Sequence, residues 1–257
     1  SKTTGTNAAT FSPNFQYFIN TFSSATQPTT YTLNEAKTGA QVQVIEKNEA
    51  LAAKLKGYNL PSKEFFVLKT AKGNELSAWI LKPKNFDPNK KYPVFMYQYS
   101  GPGSQQVNND WNGTDDYWFQ MLAQQGYIVA CVDGRGTGFK GAAFKKVTQK
   151  ELGKYEVEDQ IDAAKVIGNY PYVDKNRIGI WGWSFGGFMS ATCILKGNSI
   201  FKTAVSVAPV TNWRYYDNIY TERYMRTPQE NTAGYDDNAP DQMAHMLKGN
   251  LLLIHGT

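Results

Sequence analysis

Histidine and cysteine are the scarce chemical residues here, with two of each in 257 positions. The cysteines, Cys131 and Cys193, both stand in apolar segments. They read as buried free thiols, which leaves no disulfide framework and no metal-ligand spacing. Neither a metal nor a cofactor is expected. Long apolar runs are also missing, so no stretch has the length of a membrane-spanning helix. Residues 1–20 lack the basic-then-apolar plan of a signal peptide. The formal net charge is +5, yet no run of five or more like charges occurs. The scattered lysines therefore read as a solvated surface and not as a nucleic-acid or membrane footprint. Apolar residues, by contrast, make up 41% of the chain and aromatics 14%, enough for a sizeable core. The length suits one large α/β domain, or one domain with a piece of another.

One stretch organises the rest: Arg177 to Leu195, RIGIWGWSFGGFMSATCIL. A short apolar, β-branched run leads to a sharp turn, Gly182-Trp183-Ser184-Phe185-Gly186. An apolar, small-residue segment of helical length follows. A serine at the apex of strand, turn and helix in the pattern G-x-S-x-G is the nucleophile elbow of an α/β-hydrolase. The flanking glycines are required because a Cβ there would collide with the neighbouring strand or helix. The helix N-terminus beneath Ser184 would offer free N–H groups to a developing oxyanion.

Residues 1 to about 45 differ in composition, being rich in Thr, Ser, Asn and Gln. Phe15–Ser23 and Thr29–Gly39 suit strands. They read as the tail of an all-β domain lying mostly upstream, the chain start resembling a cut inside a longer protein. The alternative is an antiparallel extension of the next domain. From residue 46, Asn48–Lys56 reads as an Asn-capped helix stopped by Gly57. Glu64–Thr70 and Leu76–Pro83 read as an antiparallel strand pair. Pro93–Tyr99 reads as a strand buried on both faces. A helix over Asp115–Gln125 should turn Trp118, Met121 and Leu122 to one face. Buried strands are expected at Tyr127–Val132, Thr203–Pro209 and Asn250–Thr257. An amphipathic helix is expected over Glu156–Asn169 and a short one over Asp241–Met246.

Strands alternating with helices from Tyr92 onward predict a doubly wound, mostly parallel sheet with an antiparallel start. In such sheets sites form at the carboxyl ends of the strands. Tyr99-Ser100-Gly101, Asp133-Gly134, Ser184, Pro209-Val210 and His255-Gly256 should therefore converge. Asp133-Gly134-Arg135-Gly136-Thr137-Gly138 imitates a dinucleotide fingerprint. Its third glycine comes one residue early and no second βα unit with a ribose-binding acid follows, so it reads as a tight, Arg-anchored turn.

A serine needs a base to take its proton and a third group to orient that base. Both histidines follow Ser184, as the chain order of an α/β-hydrolase requires. His245, however, precedes the last strand, the wrong place for the base. His255 stands where an acid loop usually begins, and reads as a buried imidazole bonded to nearby backbone.

GPGSQ (Gly101–Gln105), DGRGTG (Asp133–Gly138), EVEDQIDAA (Glu156–Ala164), GWSFGG (Gly182–Gly187), APVTNWRYYDNIYTERYM (Ala208–Met225) and LLLIHGT (Leu251–Thr257) together resemble the dipeptidyl peptidase branch of the prolyl oligopeptidase family of serine peptidases. The likeness runs from about residue 45 to the end, and residues 1–45 resemble, more weakly, the end of the β-propeller that precedes the hydrolase domain in that family. It implies an incomplete α/β-hydrolase domain over 46–257, truncated at its C-terminal side. It implies Ser184 as acyl-forming nucleophile, with the Phe185 backbone N–H and the Tyr99 hydroxyl holding the oxyanion. Phe185, Val210, Trp213, Tyr216 and Tyr220 would wall a pocket for the penultimate residue, suited to proline or alanine. The implied substrates are peptides with Pro or Ala at the second position, released as N-terminal dipeptides. Tripeptidyl or acylaminoacyl peptidases, esterases and non-catalytic homologues are the alternatives. Phe185 departs from the tyrosine usual after the nucleophile, a change its backbone N–H survives. The family's Asp follows the HGT motif and its His comes about thirty residues later. Residues 1–257 should then carry only the nucleophile half of a triad and be inactive alone. The resemblance further implies a homodimeric, extracytoplasmic parent protein with no nucleic-acid partner.

Overall fold

The structure, a computed structural model, describes residues 4–256. The first four strands, β1 (Thr6–Phe11), β2 (Tyr17–Ser24), β3 (Gln27–Glu35) and β4 (Gln41–Glu46), form an antiparallel meander in the order β1-β2-β3-β4. Thr, Asn and Gln are frequent in these strands, and most of their large apolar side chains stay exposed: Phe11 is 50% exposed and Val42 57%, while Phe22 is buried. The expected strands at 15–23 and 29–39 both lie here, slightly shifted.

A second sheet of seven strands carries the core. Its order is β11-β10-β9-β7-β8-β6-β5, with β5 (Glu64–Lys69), β6 (Glu75–Leu81), β7 (Tyr92–Tyr97), β8 (Ile128–Asp133), β9 (Val173–Trp183), β10 (Thr203–Val207) and β11 (Asn250–Ile254). β5, β6 and β8 pair antiparallel, whereas β8, β7, β9, β10 and β11 run parallel. That is the predicted doubly wound sheet with an antiparallel start, and all the parallel strands end on one side. Every residue of β8 is buried, as a central parallel strand requires. β7 alternates instead: Val94 and Met96 are fully buried, while Pro93, Phe95 and Tyr97 are half-buried. The strand expected through Thr257 ends at Ile254, and Thr257 lies outside the described residues.

Helices α1 (Glu49–Tyr58), α2 (Thr114–Gln124), α3 (Ala142–Lys146), α4 (Tyr155–Gly168), α5 (Phe185–Lys196), α6 (Asn218–Met225) and α7 (Thr232–Asp236) fill the connections. Three differ from expectation for local reasons. α1 runs through Gly57 and stops at Asn59, which takes the left-handed conformation (φ 50°) that asparagine tolerates. Asn48 does not cap it, because its amide instead donates to the Thr29 carbonyl of β3 at 2.6 Å. α2 buries Asp116, Phe119 and Ala123, not the expected Trp118 and Met121, which are 44% and 40% exposed. The buried stripe was masked by Asp116, whose charge is met by the equally buried Lys63 at 2.6 Å. Amphipathic reading of α4 was also too simple, since Glu156, Asp159, Gln160 and Asp162 are buried alongside Val157, Ala164 and Ile167. α5 is buried on every face, from Phe185 to Leu195. α3 and α7, five residues each, carried no periodic signal long enough to predict. Both cysteines are buried and free, as expected.

Candidate active site

Ser184 joins β9 to α5 with φ 58° and ψ −115°, a strained backbone for a residue with a side chain. Its N–H donates to the Val207 carbonyl of β10 at 2.9 Å, and its own carbonyl accepts from Phe188 N–H at 3.0 Å. The glycines make this turn sterically feasible. A Cβ on Gly182 would lie 2.5 Å from the Gln98 carbonyl and 2.6 Å from that of Gly186. One on Gly187 would lie 2.4 Å from the Val207 carbonyl. The half-exposed serine thus stands on a backbone clasped between β7, β9 and β10. Phe185 is the first residue of α5, so its N–H has no acceptor one helical turn before it and remains available.

Tyr99 follows β7, next to the elbow. Its ring centroid lies 6.1 Å from that of Phe185. Both of its neighbours are buried polar residues. Gln98 Nε2 donates to the Gly186 carbonyl at 2.8 Å and to Ser190 Oγ at 3.1 Å, both on α5. Ser100, held at φ 63°, donates to Gln98 Oε1 at 3.2 Å and accepts from Gln160 Nε2 of α4 at 3.4 Å. Gln160 also donates to the Val132 carbonyl of β8 at 2.7 Å. A chain of buried amides therefore ties the Tyr99 backbone to the elbow helix. Sequence reading placed Ser100 among the converging strand ends but missed Gln98 and the role of Gln160. Their only signal was a polar side chain interrupting an apolar run.

The aromatic segment folds beside this turn. A 3-10 turn over Trp213–Tyr215 and α6 bring Trp213, Tyr216 and Tyr220 together. Trp213 lies 5.5 Å from Phe185 and stacks on Tyr220 at 5.8 Å and 18°. Tyr216 meets Tyr220 edge-on at 5.5 Å. Phe185 and Trp213 are each only 2% exposed, so they form the floor of the cluster. Tyr216 is 45% exposed and Tyr220 half-buried, so they form its rim. Val210 is half-buried and packs against the same core. Burial pushes the Tyr220 phenol above its ordinary value, so it stays a neutral hydroxyl at physiological pH. The seven predicted site residues, Tyr99, Ser184, Phe185, Val210, Trp213, Tyr216 and Tyr220, are thus gathered at one end of the parallel strands.

The histidines are not part of this cluster. His245 is exposed on the 3-10 segment Pro240–Met246. His255 is exposed too, its Nδ1 lying 3.2 Å from the Gly256 carbonyl, so the expected burial does not hold. It follows β11, the outermost strand of the sheet among the described residues. Among the described residues neither histidine bonds to Ser184, and no group of His, Cys, Asp and Glu fit to hold a metal occurs. A cleft of about 390 Å³ between the β2–β3 turn, α1 and α2 includes none of the predicted site residues.

Comparison with known proteins agrees with this geometry. Residues 114–257 match the model of the prolyl oligopeptidase family. The chain belongs to that family. A "probable dipeptidyl-aminopeptidase B" of Paracoccidioides lutzii is 48% identical over 218 residues, covering 84% of this chain and 24% of the relative. One from Trichophyton verrucosum is 46% identical over 219 residues, with the same coverage. The crystal structure of Porphyromonas gingivalis dipeptidyl peptidase 4 superposes with a TM-score of 0.96 and 49% identity, covering 100% of this chain and 36% of that one. The chain thus spans about a quarter of the length of its curated relatives. Within the prolyl oligopeptidase family this architecture is an α/β-hydrolase fold preceded by the tail of a β-propeller.

Proposed function

We propose that the full-length protein is a serine exopeptidase that releases N-terminal X-Pro or X-Ala dipeptides through an acyl-enzyme on Ser184. The observation that carries this reading is the strained Ser184 apex directly beside the Phe185–Trp213–Tyr220 aromatic cluster. Flat aromatic walls bury the methylenes of a proline ring and leave little room for larger side chains. Ser184 Oγ attacks the carbonyl carbon of the second residue and gives its proton to a base. The oxyanion that forms accepts hydrogen bonds from Phe185 N–H and from the Tyr99 hydroxyl. Collapse expels the amine of the third residue, which takes up that proton, and leaves the dipeptide esterified to Ser184. Water then releases it.

Neither exposed histidine supplies the base in this reading, so residues 1–257 alone should be inactive. Dipeptidyl-aminopeptidase relatives and the P. gingivalis structure support the dipeptide product. Location outside the cytoplasm, homodimerisation and the hydrolase boundary at residue 46 belong to the same proposal.

The test is hydrolysis of a Gly-Pro chromogenic amide by the full-length protein. Ser184→Ala should lower kcat by roughly 10⁴-fold or more, with the fold intact by circular dichroism. Full retained activity would overturn the nucleophile assignment. Faster turnover of an N-acetylated substrate than of its free-amine counterpart would point instead to acylaminoacyl release.

A further inference from the structure

The turn Asp133–Gly138 has no part in the chemistry just described, yet its arginine is held by two carboxylates and a tyrosine ring. Arg135 forms a two-nitrogen fork on Asp159, with Nε at 2.9 Å from Oδ2 and Nη2 at 2.8 Å from Oδ1. Its Nη2 also reaches Glu158 at 2.6 Å, and its guanidinium lies 4.8 Å from the Tyr155 ring centroid. Asp159 is fully buried and also accepts from Arg135 N–H at 2.7 Å. Burial works against the charge on Arg135, but its bonds to Asp159 and Glu158 outweigh that and hold its pKa above the ordinary value.

The anchored turn in turn grips the segment after Tyr99. Gly103 N–H donates to the Gly136 carbonyl at 2.8 Å, and Gly138 N–H donates to the Ser104 carbonyl at 2.8 Å. Ser104 closes back on the Gly101 carbonyl through its N–H at 3.0 Å and its hydroxyl at 2.7 Å. Gly101 itself lies so close to the Tyr99 ring that a Cβ there would be 2.5 Å from Cε1. A continuous set of contacts therefore runs from Asp159 through Arg135, Gly136–Gly138 and Gly103–Ser104 to Gly101 and the Tyr99 ring.

We propose that Arg135 is a positioning residue for the Tyr99 hydroxyl: locked on Asp159 and Glu158, it fixes the turn that clamps Gly103 and Ser104 and seats Gly101 against the Tyr99 ring. The proposal rests on the oxyanion role assigned to Tyr99 above. An oxyanion donor acts only if it is already aimed where charge develops, and a misplacement of about 1 Å can cost on the order of 100-fold in rate. The Gln98–Ser100 amide chain fixes the Tyr99 backbone. The Arg135 turn restricts its ring.

A double-mutant cycle in the full-length protein tests this, with kcat and KM measured on a Gly-Pro amide. Tyr99→Phe should lower kcat by roughly 10²–10³-fold, the usual effect of removing one oxyanion donor. Arg135→Gln should lower kcat by about tenfold or more, with KM within about twofold, because ground-state binding does not use the hydroxyl. In the Tyr99→Phe background, Arg135→Gln should cost almost nothing further. If Tyr99→Phe leaves kcat unchanged, the oxyanion reading fails and the positioning role with it. If Tyr99→Phe is costly but Arg135→Gln costs the same factor in both backgrounds, or nothing in either, the positioning role alone is overturned. Gly138→Ala guards against a folding defect in Arg135→Gln. Its new Cβ would stand 2.9 Å from the Gly103 carbonyl, loosening the clamp while leaving the Arg135 ion pairs in place. It should show the same loss of kcat and the same non-additivity with Tyr99→Phe, and additivity would overturn the proposal.

Discussion

Gln98 shows how much of the site depends on single polar side chains buried under it. Its amide bonds Gly186 and Ser190 on one side and receives Ser100 on the other, with 1% of its surface exposed. Replacing it with leucine keeps the volume but removes a donor to the Gly186 carbonyl and Ser190 Oγ and leaves the Ser100 hydroxyl without its acceptor. A buried polar group left without a partner costs about 1–3 kcal/mol. Gln98→Leu should lower unfolding stability by that amount, read from the midpoint of urea denaturation, and should lower kcat because Tyr99 is its neighbour. Unchanged stability would mean that the amide chain is not tightly made. Ser184 was legible in the sequence for the opposite reason. Its positive φ and the carbonyls packed against Gly182 and Gly187 force a glycine pattern that few other structures need. Gln98, Ser100 and Gln160 impose no such pattern, because any residue that satisfies the same donors and acceptors would serve.

Elements with a long apolar rhythm were read correctly, and those whose inward face carries charge were placed but their buried polar residues were not foreseen. β8 and α5 are buried along their whole length and stand close to where the sequence put them. α2 was placed well but turned to the wrong face. Its inward stripe begins with Asp116, and a carboxylate normally marks the outside. Lys63 reverses that rule. Side-chain exposures are 5% for Lys63 and 9% for Asp116, and the Lys63 ammonium also lies 4.7 Å from the Trp79 ring centroid. Removing one partner of a buried pair leaves an uncompensated charge, at a cost of about 3–5 kcal/mol. Asp116→Ala should therefore destabilise the protein by several kcal/mol, whereas the joint change Lys63→Met with Asp116→Leu should restore much of the loss. Equal destabilisation by the single and double variants would show that packing, and not the stranded lysine, sets the cost.

Across the whole molecule two other buried carboxyls, Glu156 and Asp133, give stability a definite pH dependence. Burial pushes Glu156 up to about 8, against backbone hydrogen bonds including that from Gly153 N–H at 3.1 Å. Asp159 raises it further and Arg135 opposes, while from the neighbouring elements Cys193 on α5 and Tyr220 on α6 also feel its charge. Burial likewise pushes Asp133 up to about 6, although Gln106 and Val107 N–H groups bond it. In both cases the folded state binds the proton more tightly than the unfolded chain, whose reference values are 4.5 and 3.8. Stability must then fall as pH rises from those values through about 6 for Asp133 and about 8 for Glu156, and level off above. The maximum slope is about 1.4 kcal/mol per pH unit for each group. Glu156→Gln keeps an acceptor for Gly153 N–H and removes that group's titration. Its melting temperature relative to the unsubstituted protein should rise steadily between pH 5 and pH 8, by about 2–4 °C for each kcal/mol gained, and stay constant beyond. Two melting curves that run parallel over that range would mean that Glu156 is not held neutral by the fold.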